Sequence, residues 1–148
     1  MKKHKKNLKN LFYDKFLGVL TKRGKNSKAK KIVDLVLLKL SKYLKTSSSL
    51  ILYRLFFKLN TFVEIKRIGF KRGSHLVPFY INFSRRIYLA LKWILLAIKK
   101  DTRKVSAANK LFTEIFKILN NLPSESIKMK LFNNSQATLH KANIHFRW

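Results

Sequence analysis

A mainly α-helical chain carrying one pair of strands is the fold class this sequence predicts. Three observations carry that expectation. Apolar residues recur at three- and four-residue spacing through most of the 148 residues. The period drops to two only between Phe62 and Phe83. Clusters of Ser, Gly, Asn or Pro punctuate the periodic stretches, so five to six helices are expected around two strands.

The elements follow in order. Residues 1–10 read as a basic extension, and Leu11, Phe12, Phe16, Val19 and Leu20 place a short helix near 11–21, with Gly18 its weak point. Gly24 stops the chain and Ser27 is the expected N-cap of a second helix over about 28–44, whose stripe is Ile32, Leu35, Val36, Leu40 and Leu44. Thr46 to Ser49 break that helix and open a third near 49–59. Val63 and Ile65 alternate with Glu64 and Lys66, which predicts a strand over 62–68. Residues 69–74 form the loop, and a second strand over 75–83 puts Val77, Phe79 and Ile81 on one face. Pro78 cannot donate to a ladder, so that strand lies at an edge or in an arm. A pair of strands is marginal alone and needs a packed base. Ser84 is the expected cap of a fourth helix, 85–100, with Ile87, Leu91, Ile94, Leu95 and Ile98 inward and Trp93 at the core or its edge. A fifth helix, about 104–119, buries Ala108, Phe112, Ile115 and Leu119. Residues 120–126 form a loop, 127–133 fit neither period, and 135–144 suggest a last short helix before HFRW.

Composition restricts the chemistry. Lys and Arg number 34 against 6 Asp and Glu, a formal charge of +28, yet 47% of residues are hydrophobic. A disordered basic tail lacks such apolar content. A freely soluble enzyme does not tolerate one-signed self-repulsion without a reason. A folded domain held against a polyanion meets both facts, with nucleic acid ahead of an acidic membrane surface. With no Cys there are no disulfides, zinc fingers or thiol catalysis. The apolar stretches Leu50–Val63 and Ile87–Ile98 are interrupted by charges and fall short of the ~20 residues a spanning helix needs. A peripheral membrane protein concentrates its apolar anchor in one helix, whereas here basic charge is spread over every element.

Catalytic candidates are poor. Asp14, Asp34, Glu64, Asp101, Glu114 and Glu125 pair at no helical spacing, and His4, His75, His140 and His145 form no metal motif. Surface or RNA-facing His is the better reading, and no enzyme activity, cofactor or metal is expected. The basic residues are the stronger signal, because Lys and Arg neutralise phosphates and release counterions. They cluster in the N-terminal tract, in the loop and helix start over 22–31 with Lys22, Arg23, Lys25 and Lys28 as the named candidates, at Lys66, Arg67, Lys71 and Arg72 of the hairpin, and at seven-residue spacing along two helices. Those two series are Arg85, Lys92 and Lys99, then Arg103, Lys110 and Lys117. A solvated helix face mixes both signs, and these series do not. Most Phe lie on apolar stripes and belong to the core. Trp148, after Arg147, either stacks on a base or packs back on the domain.

An ordered series of short motifs then points to a family. KF (15–16), GKNSKA (24–29) with IV (32–33), VEIKR (63–67), VP (77–78), RR (85–86), KW (92–93) and KA with HFRW (141–148) occur in turn. The series resembles ribosomal protein seven of the small subunit, with its Gly-Lys-Lys-Ser-Thr-Ala loop, Val-Glu-Val-Lys strand and terminal His-Tyr-Arg-Trp. The resemblance covers roughly residues 11–148 as one domain. Residues 45–62 and 120–139 match poorly, Gly69 and Gly73 stand apart where bacterial members have a Gly pair, and Phe146 replaces Tyr.

The resemblance implies a helical domain with a protruding two-stranded β-hairpin arm, about 62–83. It implies binding to the 3′ major (head) domain of small-subunit ribosomal RNA, nucleation of head assembly beside neighbouring head proteins, and an arm near the exit-site tRNA and the mRNA exit path. It carries Gly24, Lys25, Ser27, Lys66, Arg67, Arg85, Arg86, Lys92 and Arg147 onto family positions, the basic ones as RNA contacts, with Arg86 or Lys92 alternatively intramolecular. Phe, Lys, Asn and Ile, all with A/T-rich codons, make up 61 of the 148 residues, and with the divergence this resembles a mitochondrial form. The rival reading is a freestanding DNA-binding protein with a basic β-arm.

Overall fold

The computed structural model describes residues 2–70 and 73–147, with side chains from residue 11 onward except that of Phe70. The order is α1 (Lys2–Leu20), α2 (Asn26–Leu44), α3 (Ser48–Leu59), β1 (Val63–Phe70), β2 (Gly73–Tyr80), α4 (Phe83–Lys100), α5 (Ala107–Leu119), α6 (Glu125–Leu139) and a 3-10 segment (Lys141–Arg147). The fold is mainly α with one antiparallel hairpin, as expected.

Five helices share one core. Phe12 and Phe16 of α1 meet Val33, Val36, Leu37 and Leu40 of α2, Ile51, Leu52, Leu55 and Leu59 of α3, Ile87, Ala90, Leu91 and Ile94 of α4, and Leu111, Ile115 and Ile118 of α5. Burying each such Leu, Ile or Phe contributes about 1.5–3 kcal/mol. A smaller cluster joins Ile81, Leu89 and Trp93, with Met129 of α6 against it. Trp93 is therefore core.

Several expected details shift. Helix α1 begins at Lys2, nine residues before the expected start at 11, because residues 2–10 hold no Gly or Pro and are rich in Lys, a good helix former. Ser27 lies inside α2, whose N-cap is Lys25, and Ser84 lies inside α4, whose N-cap is Asn82; neither cap makes a side-chain bond. The stripe of α2 is rotated: Val33 and Leu37 are buried and Leu35 is exposed. In α5, Leu111 and Ile118 are the buried neighbours of Ile115, with Ala108, Phe112 and Leu119 only partly covered. Helix α5 starts at Ala107, not near 104, since the Ser106 hydroxyl accepts from the Asn109 amide at 3.3 Å.

The ambiguous 127–133 and the expected helix at 135–144 are one helix, α6, capped by Ser124, whose hydroxyl accepts from the Ile127 amide at 3.2 Å. Only Ser126 of α6 is buried. Polar bonds fasten this helix: Ser126 donates to Glu114 at 2.7 Å, Lys130 to the Lys58 carbonyl at 2.6 Å, and Asn133 to the Val63 carbonyl at 2.8 Å. Without an apolar stripe, periodicity had nothing to register.

The hairpin pairs Val63 with Tyr80 through Phe70 with Gly73, so the loop is shorter than 69–74 and only two residues separate the strands. One face carries Ile65, Leu76 and Pro78, the other Lys66, Val77 and Phe79. The first looks onto a groove with Trp93, Leu96, Met129 and Phe132. The second is covered by the C-terminal 3-10 segment, where Phe146 stacks on His75 at 4.6 Å. These contacts are the packed base two strands require, and Val77 is fully buried.

Candidate nucleic-acid interface

The turn between α1 and α2 sets the first basic group. Arg23 and Gly24 both have left-handed φ (52° and 72°), and Thr21 closes the turn by bonding the Leu17 carbonyl at 2.7 Å and Asn26 at 2.8 Å. The reversal places Lys22, Arg23, Lys25 and Lys28 at one corner of the fold, all exposed. None has a hydrogen bond or ion pair to another described side chain. Lys30 and Lys31 add exposed charge on the same helix. The Lys-rich run 28–31 is the signal that points to them, though only Lys28 was singled out from sequence.

Helix α4 supplies the second group. Lys92 and Lys99 are exposed on its outward face. Arg85, earlier in the same series, is held in a bidentate pair by Glu64 at 2.9 and 2.6 Å. The Arg85 hydrogen bond draws the Glu64 carboxyl below its ordinary pKa. Arg86 is turned inward: it bonds the Ile81 carbonyl at 3.1 Å and the Tyr80 hydroxyl, and lies 4.2 Å from the Phe62 ring centroid.

The α5 series does not stand out as a stripe. Arg103 precedes α5 and chelates Asp101, lowering that carboxyl's pKa, and Lys110 donates to the Asp101 carbonyl at 2.7 Å. Both charges are folded onto the α4–α5 connection. In the hairpin, Lys66 and Arg67 are exposed on opposite faces, with Lys66 5.2 Å from the Phe79 ring. Lys71, Arg72 and Trp148 lie outside the described residues. Arg147 donates twice to the Pro78 carbonyl, at 2.9 and 2.5 Å, and Asn143 donates to the Leu76 carbonyl at 3.0 Å. Residues two apart in a strand aim their carbonyls at the same edge. The missing N–H of Pro78 falls on that edge and not in the ladder.

Carboxylates are too few to neutralise this surface. Among the described residues, only Arg85, Lys100, Arg103 and Lys128 sit in ion pairs. Lys100 and Lys128 share Glu125 and hold its pKa down at about 2. Asp34 accepts instead from Tyr13 at 2.6 Å, and burial, then that bond, push the Tyr13 pKa up to about 12. No group of His, Asp or Glu able to hold a metal ion occurs among the described residues. The arrangement offers positive charge on a rigid helical frame, which suits phosphate binding.

The family model described as ribosomal protein S7p/S5e matches residues 1–141. The chain belongs to this family. The match includes the first ten residues and stops before the terminal HFRW. S7p/S5e proteins are structural, non-enzymatic constituents of the small ribosomal subunit, and so is this chain. It is similar to small ribosomal subunit protein uS7 of Wigglesworthia glossinidia brevipalpis, 31% identical over 134 residues, covering 90% of this chain and 85% of that one. It is 27% identical over 134 residues to uS7m of Reclinomonas americana, covering 90% and 83%. The similarity to uS7 of Borreliella burgdorferi, also 27%, extends over 99% of both chains.

Proposed function

We propose that this S7p/S5e member anchors the 3′ major domain of small-subunit ribosomal RNA and nucleates assembly of the subunit head. The observation that carries the reading is the uncommitted charge at the α1–α2 corner and along α4, left unpaired by a chain with 6 acids against 34 bases. In this reading residues 11–148 act as one RNA-holding domain and residues 1–10 as a basic extension. Lys22, Arg23, Lys25, Lys28, Lys92 and Lys99 make the principal phosphate contacts, joined by Arg67 and by Lys71 and Arg72 at the hairpin end. RNA helices are recognised at such sites through backbone and shape. The hairpin approaches the exit-site tRNA and the mRNA exit path. The uS7m relative and the abundance of Phe, Lys, Asn and Ile, residue types with A/T-rich codons, support a mitochondrial ribosome as the location.

Sucrose-gradient fractionation of mitochondria tests both parts. The protein is expected to co-sediment with small subunits and to leave them only at stripping salt. Replacing Lys22, Arg23, Lys25 and Lys28 with Ala abolishes docking. Replacing Lys66, Arg67, Lys71 and Arg72 leaves docking intact and perturbs only the tRNA and mRNA surroundings. Loss of docking from the hairpin variant overturns this division of labour.

A further inference from the structure

Helix α2 turns one face inward and leaves the opposite ridge open. Val33, Val36, Leu37 and Leu40 point into the core. At ~100° per residue, Lys28, Lys31, Leu35, Leu38, Lys39 and Lys42 fall on the other side of the helix, and all six are exposed. They form one continuous line about 21 Å from end to end. The charges sit at its two ends, Lys28 and Lys31 before and Lys39 and Lys42 after. Between them Leu35 is 43% exposed and Leu38 61%. Tyr43, one turn beyond Lys39 on the flank toward α5, is 70% exposed. Its ring meets Phe116 edge-to-face at 5.3 Å and Phe112 at 6.4 Å, and those two rings stack on each other at 6.0 Å. The two edge contacts set the plane of the Tyr43 ring while most of it stays open.

The four lysines keep their charge. None is in an ion pair among the described residues. Lys39 donates to the Asn109 side-chain oxygen at 3.0 Å, a neutral acceptor that positions the ammonium without cancelling it. Asp34, the one acid of α2, lies on the flank toward α1 and accepts from the Tyr13 hydroxyl at 2.6 Å. A protein partner fits poorly, because interface cores are depleted in Lys and two leucines among four lysines make no apolar core. A membrane surface fits no better, since α2 has committed its apolar face to the domain core. An RNA helix matches the order of the side chains. Its wide, shallow minor groove displays sugars between two rows of phosphates. Unpaired RNA bases stack on exposed aromatic rings. The ridge begins at Lys28, so it continues the basic corner between α1 and α2.

We propose that the outer ridge of α2 is a further RNA-binding surface. Lys31, Lys39 and Lys42 meet the phosphates of one RNA helix, Leu35 and Leu38 lie against its minor-groove sugars, and Tyr43 stacks on an unpaired base beside it. The proposal rests on the reading that this chain anchors ribosomal RNA, and the test keeps the two apart. A photo-reactive phenylalanine analogue replaces Tyr43 in one preparation of the full chain and Lys25 in another, and assembled small subunits are irradiated. The probe at 43 is expected to join ribosomal RNA. In filter binding of the full chain to head RNA, Tyr43→Ala is expected to lower affinity about tenfold, whereas Tyr43→Phe, which keeps the stack, leaves it unchanged. Lys31→Ala with Lys42→Ala makes the slope of log affinity on log salt shallower by about 1.4–1.8, the share of two phosphates. Cross-linking from 43 to protein or to nothing, full affinity in Tyr43→Ala, or an unchanged salt slope overturns the proposal. If the probe at 25 still joins ribosomal RNA, the anchoring reading stands without the ridge; if neither probe reaches RNA, that reading falls as well. Cross-linking from 43 alone upholds the ridge and removes the corner from the anchor.

Discussion

Arg147 shows how one side chain changes role once the chain is folded. Its guanidinium is held by the Pro78 carbonyl and lies 5.6 Å from the Phe79 ring, so it fastens the C-terminal segment to β2. Hydrogen bonds from a charged donor contribute about 1.5–3 kcal/mol. Arg147→Ala is expected to raise amide hydrogen exchange in residues 74–80 while core amides of α2 and α4 stay protected; unchanged exchange in β2 refutes the clasp. Glu64 and Glu125 carry a second expectation at this scale. Both have folded pKa values below the ordinary 4.5, Glu64 through Arg85 and Glu125 through Lys100 and Lys128. Groups depressed on folding stabilise fully above the unfolded pKa and lose that contribution as pH falls through the folded one. The urea midpoint should therefore be level from about pH 7 to 5 and fall between about 4.5 and 2, with a shallower fall in Glu125→Gln.

Elements differ in how visibly the sequence announces them. The first strand and α4 were legible because their apolar residues repeat at the right period and their faces are strongly sided. The stripes of α2 and α5 were read in part: Val36, Leu40 and Ile115 are buried as expected, whereas Leu35 is exposed and Ile32, Ala108, Phe112 and Leu119 are only partly covered. Each has apolar residues on more than one face, and neighbouring helices decided which were covered: Leu38 is exposed although Leu37 and Leu40 are buried. Helix α6 was fragmented because polar bonds to Glu114, Lys58 and Val63 hold it. A helix attached this way depends on its ends. Ser124→Ala removes the acceptor for the Ile127 amide and should cost about 0.5–2 kcal/mol, read as a lower urea midpoint. An unchanged midpoint shows that the cap contributes nothing. Lys58 closes α5 in the complementary sense, placing a cation against its last carbonyls.

Across the whole molecule, charge is the property that ties fold to function. If about ten phosphates are contacted, log affinity for head RNA falls with log salt at a slope on the order of −7 to −9. A slope near zero, measured by filter binding of the full chain, excludes phosphate contact as the source of affinity. The net charge, the mainly helical class, the order of elements and the family motifs were all present in the linear chain, because period, turn residues and composition are local. Which cations remain free was not. Arg86, Arg103, Lys110 and Arg147 look equivalent to Lys25 or Lys92 in the sequence, yet folding gives the first four internal acceptors. Tertiary structure alone decided that, along with the clasp on β2 and the uncovered ridge of α2. The reason is distance along the chain: Arg147 meets Pro78 across 69 residues and Lys58 meets Ile118 across 60, contacts that only packing of the whole core brings about.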